Sequence, residues 1–105
     1  MWRRINRVDV ELDVNKEKLN IQKHKLDFGT AAKVFFDSNR LEYYDAAHSV
    51  DEDRYITIGM INNIIAVVYA ETHKRIRIIS ARKATAEEKE KYYGKNRKKG
   101  HKKKR

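Results

Sequence analysis

A chain of 105 residues without an internal repeat makes one domain with room for a single core of two packed layers, and with no cysteine it excludes disulfides and thiolate zinc sites alike. The formal charge is +10, but residues 94–105 hold eight basic groups and residues 1–8 hold three, with no acid in either segment, which leaves 14 basic against 15 acidic residues in between. The longest wholly apolar run, Ile64 to Ala70, is far short of a membrane span, and no apolar stretch follows the basic N-terminus, so neither a signal peptide nor a membrane association is expected and the location is read as cytoplasmic.

Val8 to Leu12 alternates apolar and acidic residues and predicts a short edge strand, closed by Asp13 as an N-cap. A helix from Val14 to about His24 follows, with only a thin apolar stripe around Leu19 and Ile21. Asp27 caps a second helix, roughly Phe28 to Asp37. There Phe28, Ala31, Ala32, Phe35 and Phe36 recur at helical spacing and promise the better core element.

Residues 38–53 are polar and acid-rich around His48 and Ser49, with at most a short strand at Leu41 to Tyr44. Arg54 to Met60 and Ile64 to Ala70 form a hairpin about Asn62-Asn63, since asparagine tolerates positive φ. A second tight turn at Glu71 to Lys74 leads to a third antiparallel strand beginning at Arg75. Thr85 and Glu88 have the spacing of a capping box, and the helix they start is expected to stop at Gly94. The fold class is therefore α+β, in the order β-α-α-β-β-β-α, with an antiparallel sheet packed against helices. Residues 1–94 are read as the domain. Residues 95–105 are read as a disordered polybasic tail, since they have no apolar side chain to anchor them.

The third strand is the chemically distinctive stretch. Arg75-Ile76-Arg77-Ile78-Ile79-Ser80 alternates at period two, which sets Arg75, Arg77 and Ile79 on one side and Ile76, Ile78 and Ser80 on the other. Lys74, Arg75, Arg77, Arg82 and Lys83 fall within ten positions with no acid among them, and Arg82 and Lys83 also precede the amino end of a helix, so an anion is the expected guest. Arg54, Tyr55, Tyr92 and Tyr93 add the guanidinium and aromatic groups that hold phosphates and stack on unpaired bases, although one tyrosine of Tyr55 and Tyr69, and one of Tyr92 and Tyr93, is expected in the core. No glycine-rich phosphate loop occurs. The four histidines lack metal-ligand spacing and the acidic loop around His48 reads as solvated, so no metal or cofactor is expected.

Arg75-Ile76-Arg77-Ile78-Ile79-Ser80-Ala81-Arg82-Lys83-Ala84-Thr85, with Glu88 and Tyr92 beyond it, closely resembles the signature of the BrnT family of type II toxin–antitoxin toxins. The resemblance extends upstream through Asp13, Asn20, Lys23-His24, Phe28, Asp37, Asp45, His48-Ser49, Glu52, Arg54-Tyr55 and Gly59. It implies a RelE-like fold and an endoribonuclease that cleaves RNA and inhibits translation. It also implies neutralisation by a cognate ribbon-helix-helix antitoxin, in a heterotetramer of two toxins and two antitoxins that binds operator DNA. The family usually has glycine after the Lys-His pair where this chain has Lys25, so the helix is expected to end differently.

The expected chemistry is metal-independent attack of the substrate's own 2′-hydroxyl on the neighbouring phosphorus, which needs a proton acceptor, a donor and cations for the charge that develops. Arg77 and Arg82, assisted by Lys83, are the candidate cations, and His48 or His24 the candidate base or acid. Lys23, Arg54, Tyr55, Arg75, Ser80 and Tyr92 are the candidate substrate contacts. A non-catalytic nucleic-acid-binding module and a protein-interaction subunit with a basic face are the rival readings.

Overall fold

A computed structural model describes residues 2–5, 8–72 and 75–103. The elements are β1 (Trp2–Ile5), β2 (Val8–Leu12), α1 (Val14–His24), α2 (Phe28–Ala32) continued by a 3-10 turn (Lys33–Phe36), β3 (Leu41–Tyr44), a 3-10 turn (Ala46–His48), β4 (Arg54–Ile61), β5 (Asn63–Thr72), β6 (Arg75–Lys83) and α3 (Ala86–Lys103). The strands form one sheet in the order β1-β2-β6-β5-β4-β3. Every pair is antiparallel except β2 with β6, which is parallel. The wholly antiparallel sheet expected from sequence is corrected in that one pair, because the chain returns to β2 only after crossing the whole domain.

Val8–Leu12 is not an edge. Trp2–Ile5 pairs with it antiparallel, from Trp2 opposite Glu11 to Ile5 opposite Val8, and its other side is taken by β6. Four residues with basic side chains at their centre gave β1 no apolar pattern to be recognised by. His73 and Lys74, in the expected turn before β6, lie outside the described residues.

Both faces of the sheet are partly covered. On the first face Val10, Leu12, Ile65, Val67, Tyr69, Ile76, Ile78 and Ala81 meet Phe28, Ala31, Ala32 and Val34 of α2 and its continuation. At about 1.5–3 kcal/mol for each fully buried large apolar side chain, this cluster supplies most of the driving force for folding. On the second face a smaller cluster of Leu41, Ile58, Ile64 and Ala66 is covered by Ala84 and Tyr92 at the start of α3.

Caps account for the helix starts. Asp13 accepts from Lys16 N at 3.0 Å and Asp27 from Thr30 N at 2.9 Å. Thr85 and Glu88 close the expected box, at 2.8 Å from Thr85 N to Glu88 Oε1 and 3.1 Å from Glu88 N to Thr85 Oγ1. Lys25 ends α1 with φ 61°, its N–H donating to Ile21 O. The left-handed stop that glycine would make is therefore kept, on a residue with a Cβ, and the expectation of a different helix end is corrected.

Two other helix expectations shift. The second helix becomes a 3-10 turn after Ala32, and the change from 3.6 to about 3.0 residues per turn carries Val34 into the core and leaves Phe36 exposed. The last helix does not stop at Gly94 but continues to Lys103. A glycine inside a helix costs about 1 kcal/mol relative to alanine, which weakens a helix without breaking it.

Candidate functional site

Strand β6 carries a bulge that decides which of its side chains act together. Val68 is opposite Ser80 but the adjacent Tyr69 is opposite Ile78, so Ile79 is an extra residue on β6. Beyond it the alternation is reset. Arg77, Ser80 and Arg82 share the second face, while Ile76, Ile78 and Ala81 share the first. A regular strand would have put Ser80 and Arg82 on the core side with Ile78, as strict alternation predicts. The sequence signal for the bulge is the doubled Ile78-Ile79 in an otherwise alternating run.

The second face can then be read in rows across the strands. Arg82, Ala66, Ile58 and Leu41 form the row under α3. Ser80, Val68, Ile56 and Tyr43 form the next, only partly covered. Arg77, Ala70 and Arg54 form the third. The middle row is the floor of a trough running across the strands, with α3 along one side and the two arginines along the other.

Arg77 and Arg54 flank the small Ala70 and converge on one carboxylate. Glu52 Oε2 accepts from Arg77 Nη2 and lies 3.6 Å from Arg54 Nη2. The two guanidinium groups share this one carboxylate, and the Nε–H of each arginine is enclosed without an acceptor. The loop that brings Glu52 here is stapled by Ser49, whose Oγ donates to Asp45 O at 2.6 Å and accepts from Arg54 N at 2.9 Å, while Asp45 N donates to Arg54 O at 2.8 Å.

His48 stands in the same loop. Its Nδ1 is 2.9 Å from Asp45 Oδ2, its side chain is 70% exposed, and that of Asp45 is 15% exposed. Such a carboxylate favours the tautomer with the proton on Nδ1 and leaves Nε2 as the acceptor facing solvent. His48, Glu52 and Arg54 line one depression of about 280 Å³ together with Ala47, Val50 and Asp51. Among the described residues no group of three or more histidines and carboxylates is arranged to hold a metal ion.

The remaining sequence candidates are dispersed. Arg82 is on the same face as Arg77, but its fork is engaged by Glu88, Nη1 to Oε1 at 2.8 Å and Nη2 to Oε2 at 2.9 Å. This pairing raises the arginine pKa and holds the Glu88 carboxyl below its ordinary range. Arg82 therefore clasps β6 to the first turn of α3. Lys83 is paired in register with Ile65, a residue of the first-face core, and so departs from Arg82's side. Arg75 is in register with Thr72 and Asp9, on the side of Arg77. Ser80 lies in the trough floor.

Tyr55 stacks on the buried Tyr69, with ring centroids 5.6 Å apart and planes at 22°, and belongs to the first face rather than beside Arg54. Tyr92 is buried and donates its hydroxyl to Asp37 Oδ2 at 2.7 Å. Of each expected pair, Tyr69 and Tyr92 are the core members. Burial, with the Asp37 hydrogen bond, raises the Tyr92 pKa. Lys23 and His24 are in the last turn of α1, which docks beside β6 through Asn20. The Asn20 amide donates to Ala81 O at 2.8 Å and accepts from Ala81 N at 3.0 Å, taking the place of a neighbouring strand where β2 has ended. No hydrogen bond or ion pair among the described residues joins Lys23 or His24 to the Glu52 group.

Comparison with known proteins accords with this architecture. Residues 12–88 match the family model described as the ribonuclease toxin BrnT of type II toxin–antitoxin systems. The crystal structure of the Brucella abortus ribonuclease toxin BrnT is similar at 30% identity and a TM-score of 0.59, covering 72% of this chain and 95% of that one. No curated protein sequence matches. No described helix is long and apolar enough to cross a membrane. A match over most of the domain, with a structural relative of the same description, shows that this chain belongs to the BrnT family of ribonuclease toxins of type II toxin–antitoxin systems.

Proposed function

We propose that the chain is a metal-independent endoribonuclease whose site is the depression between the His48 loop and the row Arg77, Ala70, Arg54. The observation that carries this reading is a carboxylate-oriented imidazole and the Arg54 guanidinium lining one depression, with Arg77 joined to Arg54 through Glu52 at its edge. An RNA phosphate binds Arg77 and Arg54. His48 Nε2 takes the proton of the 2′-hydroxyl, whose oxygen attacks phosphorus. The arginines stabilise the charge that grows on the non-bridging oxygens, the bond to the 5′-oxygen breaks, and solvent supplies that oxygen with a proton. The products are a 2′,3′-cyclic phosphate and a 5′-hydroxyl. Asp45, Glu52 and Ser49 are positioning residues, and so is Arg82 through its bond to Glu88. Such cleavage in the cytoplasm inhibits translation.

The partner that restrains this activity is a ribbon-helix-helix antitoxin, as two toxins on an antitoxin dimer that also binds operator DNA. It presents carboxylates or an apolar helix to the trough, so that antitoxin and RNA exclude one another. Incubation of the purified protein with labelled RNA, with and without EDTA, tests the chemistry. Cleavage that survives the chelator and leaves a cyclic or 3′-phosphate is expected. Chelator-sensitive cleavage leaving 5′-phosphate would overturn the mechanism, and tight binding without cleavage would make the chain a binding module.

A further inference from the structure

Helix α3 has two halves of different character. Its first half is bound to the sheet: Glu88 holds Arg82 of β6, Lys91 Nζ lies 5.5 Å from the centroid of the Tyr43 ring on β3, and Tyr92 reaches Asp37 beyond β4. The helix therefore crosses the second face from β6 toward β3, in the same sense as the trough beside it. Its second half, Lys95 to Lys103, contains no apolar residue and no acid, so it has nothing to bury and repels itself. The ten residues from Gly94 to Lys103 add about 15 Å of helix beyond the last core contact. The family match ends at residue 88, before this extension begins.

We infer that the extension is a second RNA contact, gripping the phosphates of the strand where it leaves the trough at the β3 edge. This rests on the ribonuclease reading above and adds to it a preference for longer substrates. The trough crosses four strands, about 14 Å at ordinary spacing, and accommodates only a few nucleotides. An RNA that continues past it runs beside a helical segment, residues 95–103, whose sequence has six lysines and arginines and no acid, and its phosphates relieve the repulsion within that segment. Because the contact is to phosphate, it extends the footprint without adding sequence preference.

The test compares the full chain with its variant Lys98→Gln/Lys99→Gln/Lys102→Gln/Lys103→Gln, in which glutamine keeps helix propensity and removes charge. Fluorescence anisotropy measures binding to single-stranded RNAs of about five and about twenty nucleotides, a single-strand footprint and several times that length, at several salt concentrations. The variant is expected to bind the longer RNA about ten-fold or more weakly, with a salt slope shallower by about 0.7 for each phosphate no longer neutralised, and to bind the shorter RNA as the full chain does. Equal losses for both lengths, or no loss for either, would overturn the inference, as would a loss confined to a DNA duplex of similar length. The ribonuclease reading stands or falls separately on cleavage by the full chain and by Arg77→Ala.

Discussion

Arg77 and Arg54 face one another across Ala70, on strands two apart, and both lean on the single carboxylate of Glu52. The distance between the arginines is thus set by the sheet and their direction by the loop. The side chain between them is a single methyl group, that of Ala70. The neighbours of Arg77 along β6 serve a different purpose, and replacement should separate the two. Arg77→Ala is expected to lower RNA cleavage by about 10² or more with little change in thermal midpoint, since the side chain is partly exposed and the proposed mechanism gives the arginine its role in the transition state. Ile78→Ala removes a fully buried side chain and should cost about 2–5 kcal/mol in urea unfolding. Unfolding of Arg77→Ala, or its full activity, would make the arginine structural.

Glu52 restrains the two arginines to which the proposed mechanism assigns the phosphate, which makes its removal informative in two directions. Glu52→Gln should strengthen the attraction of RNA, because an opposing negative charge is gone. It should also lower kcat, because Arg77 and Arg54 lose the group that aims them. Steady-state kinetics on a short RNA is expected to show KM and kcat falling together, and a higher KM would show that Glu52 itself binds substrate.

Much of this arrangement is legible in the residues, and what is not has identifiable physical causes. The strands at 41–44, 54–61, 63–72 and 75–83 and both aspartate caps follow from alternation and turn chemistry, and Arg77, Arg54 and His48 stand out by their chemistry alone. The grouping of those residues is not legible, because it depends on one bulge at Ile79 and on the register of three strands. Alternation alone puts Ser80 opposite Arg77. Glu52 and Asp45 look like solvated acids in a polar loop, since neither burial nor pairing with a residue 25 positions away leaves a local pattern. Arg82 and Tyr92 carry the right chemistry for a ligand but meet Glu88 and Asp37 first.

Stability toward acid follows from those two carboxylates. The hydrogen bonds from Arg82, opposed by partial burial, keep Glu88 below its ordinary pKa. At Asp37 burial works upward, but the Tyr92 hydroxyl and the N–H groups of Met60 and Asn39 outweigh it and the net shift is again downward. A depressed pKa in the folded state means that the unfolded chain binds more protons. This stabilisation is therefore complete above the ordinary carboxylate pKa near 4 and is lost as pH falls through the folded-state values. The thermal midpoint of the wild type should fall on acidification below about pH 5. Glu88→Gln should be less stable by roughly 1 kcal/mol at pH 7, with the gap to wild type closing in acid. A gap independent of pH would show that the Arg82 clasp contributes nothing through charge.

Gly59 marks the point where the 3-10 turn after α2 closes on β4. A Cβ there would stand 2.8 Å from Val34 Cγ1 and 3.2 Å from Asp37 Oδ2. Val34 is fully buried and Asp37 is held by Met60 N and by Tyr92, so neither neighbour is at liberty to move. Gly59→Ala should therefore destabilise the domain by about 1–3 kcal/mol, the usual cost of overpacking, despite the gain that alanine brings elsewhere in a strand. The strain has one main source, so shortening it should return part of the loss. Val34→Ala alone leaves a cavity and is destabilising, but Gly59→Ala/Val34→Ala should be more stable than the sum of the single losses predicts. Chemical unfolding of the four proteins measures that coupling. Strict additivity would mean that the close approach of Val34 to Gly59 does not constrain the junction, and that the second face and its arginines are positioned by the sheet alone.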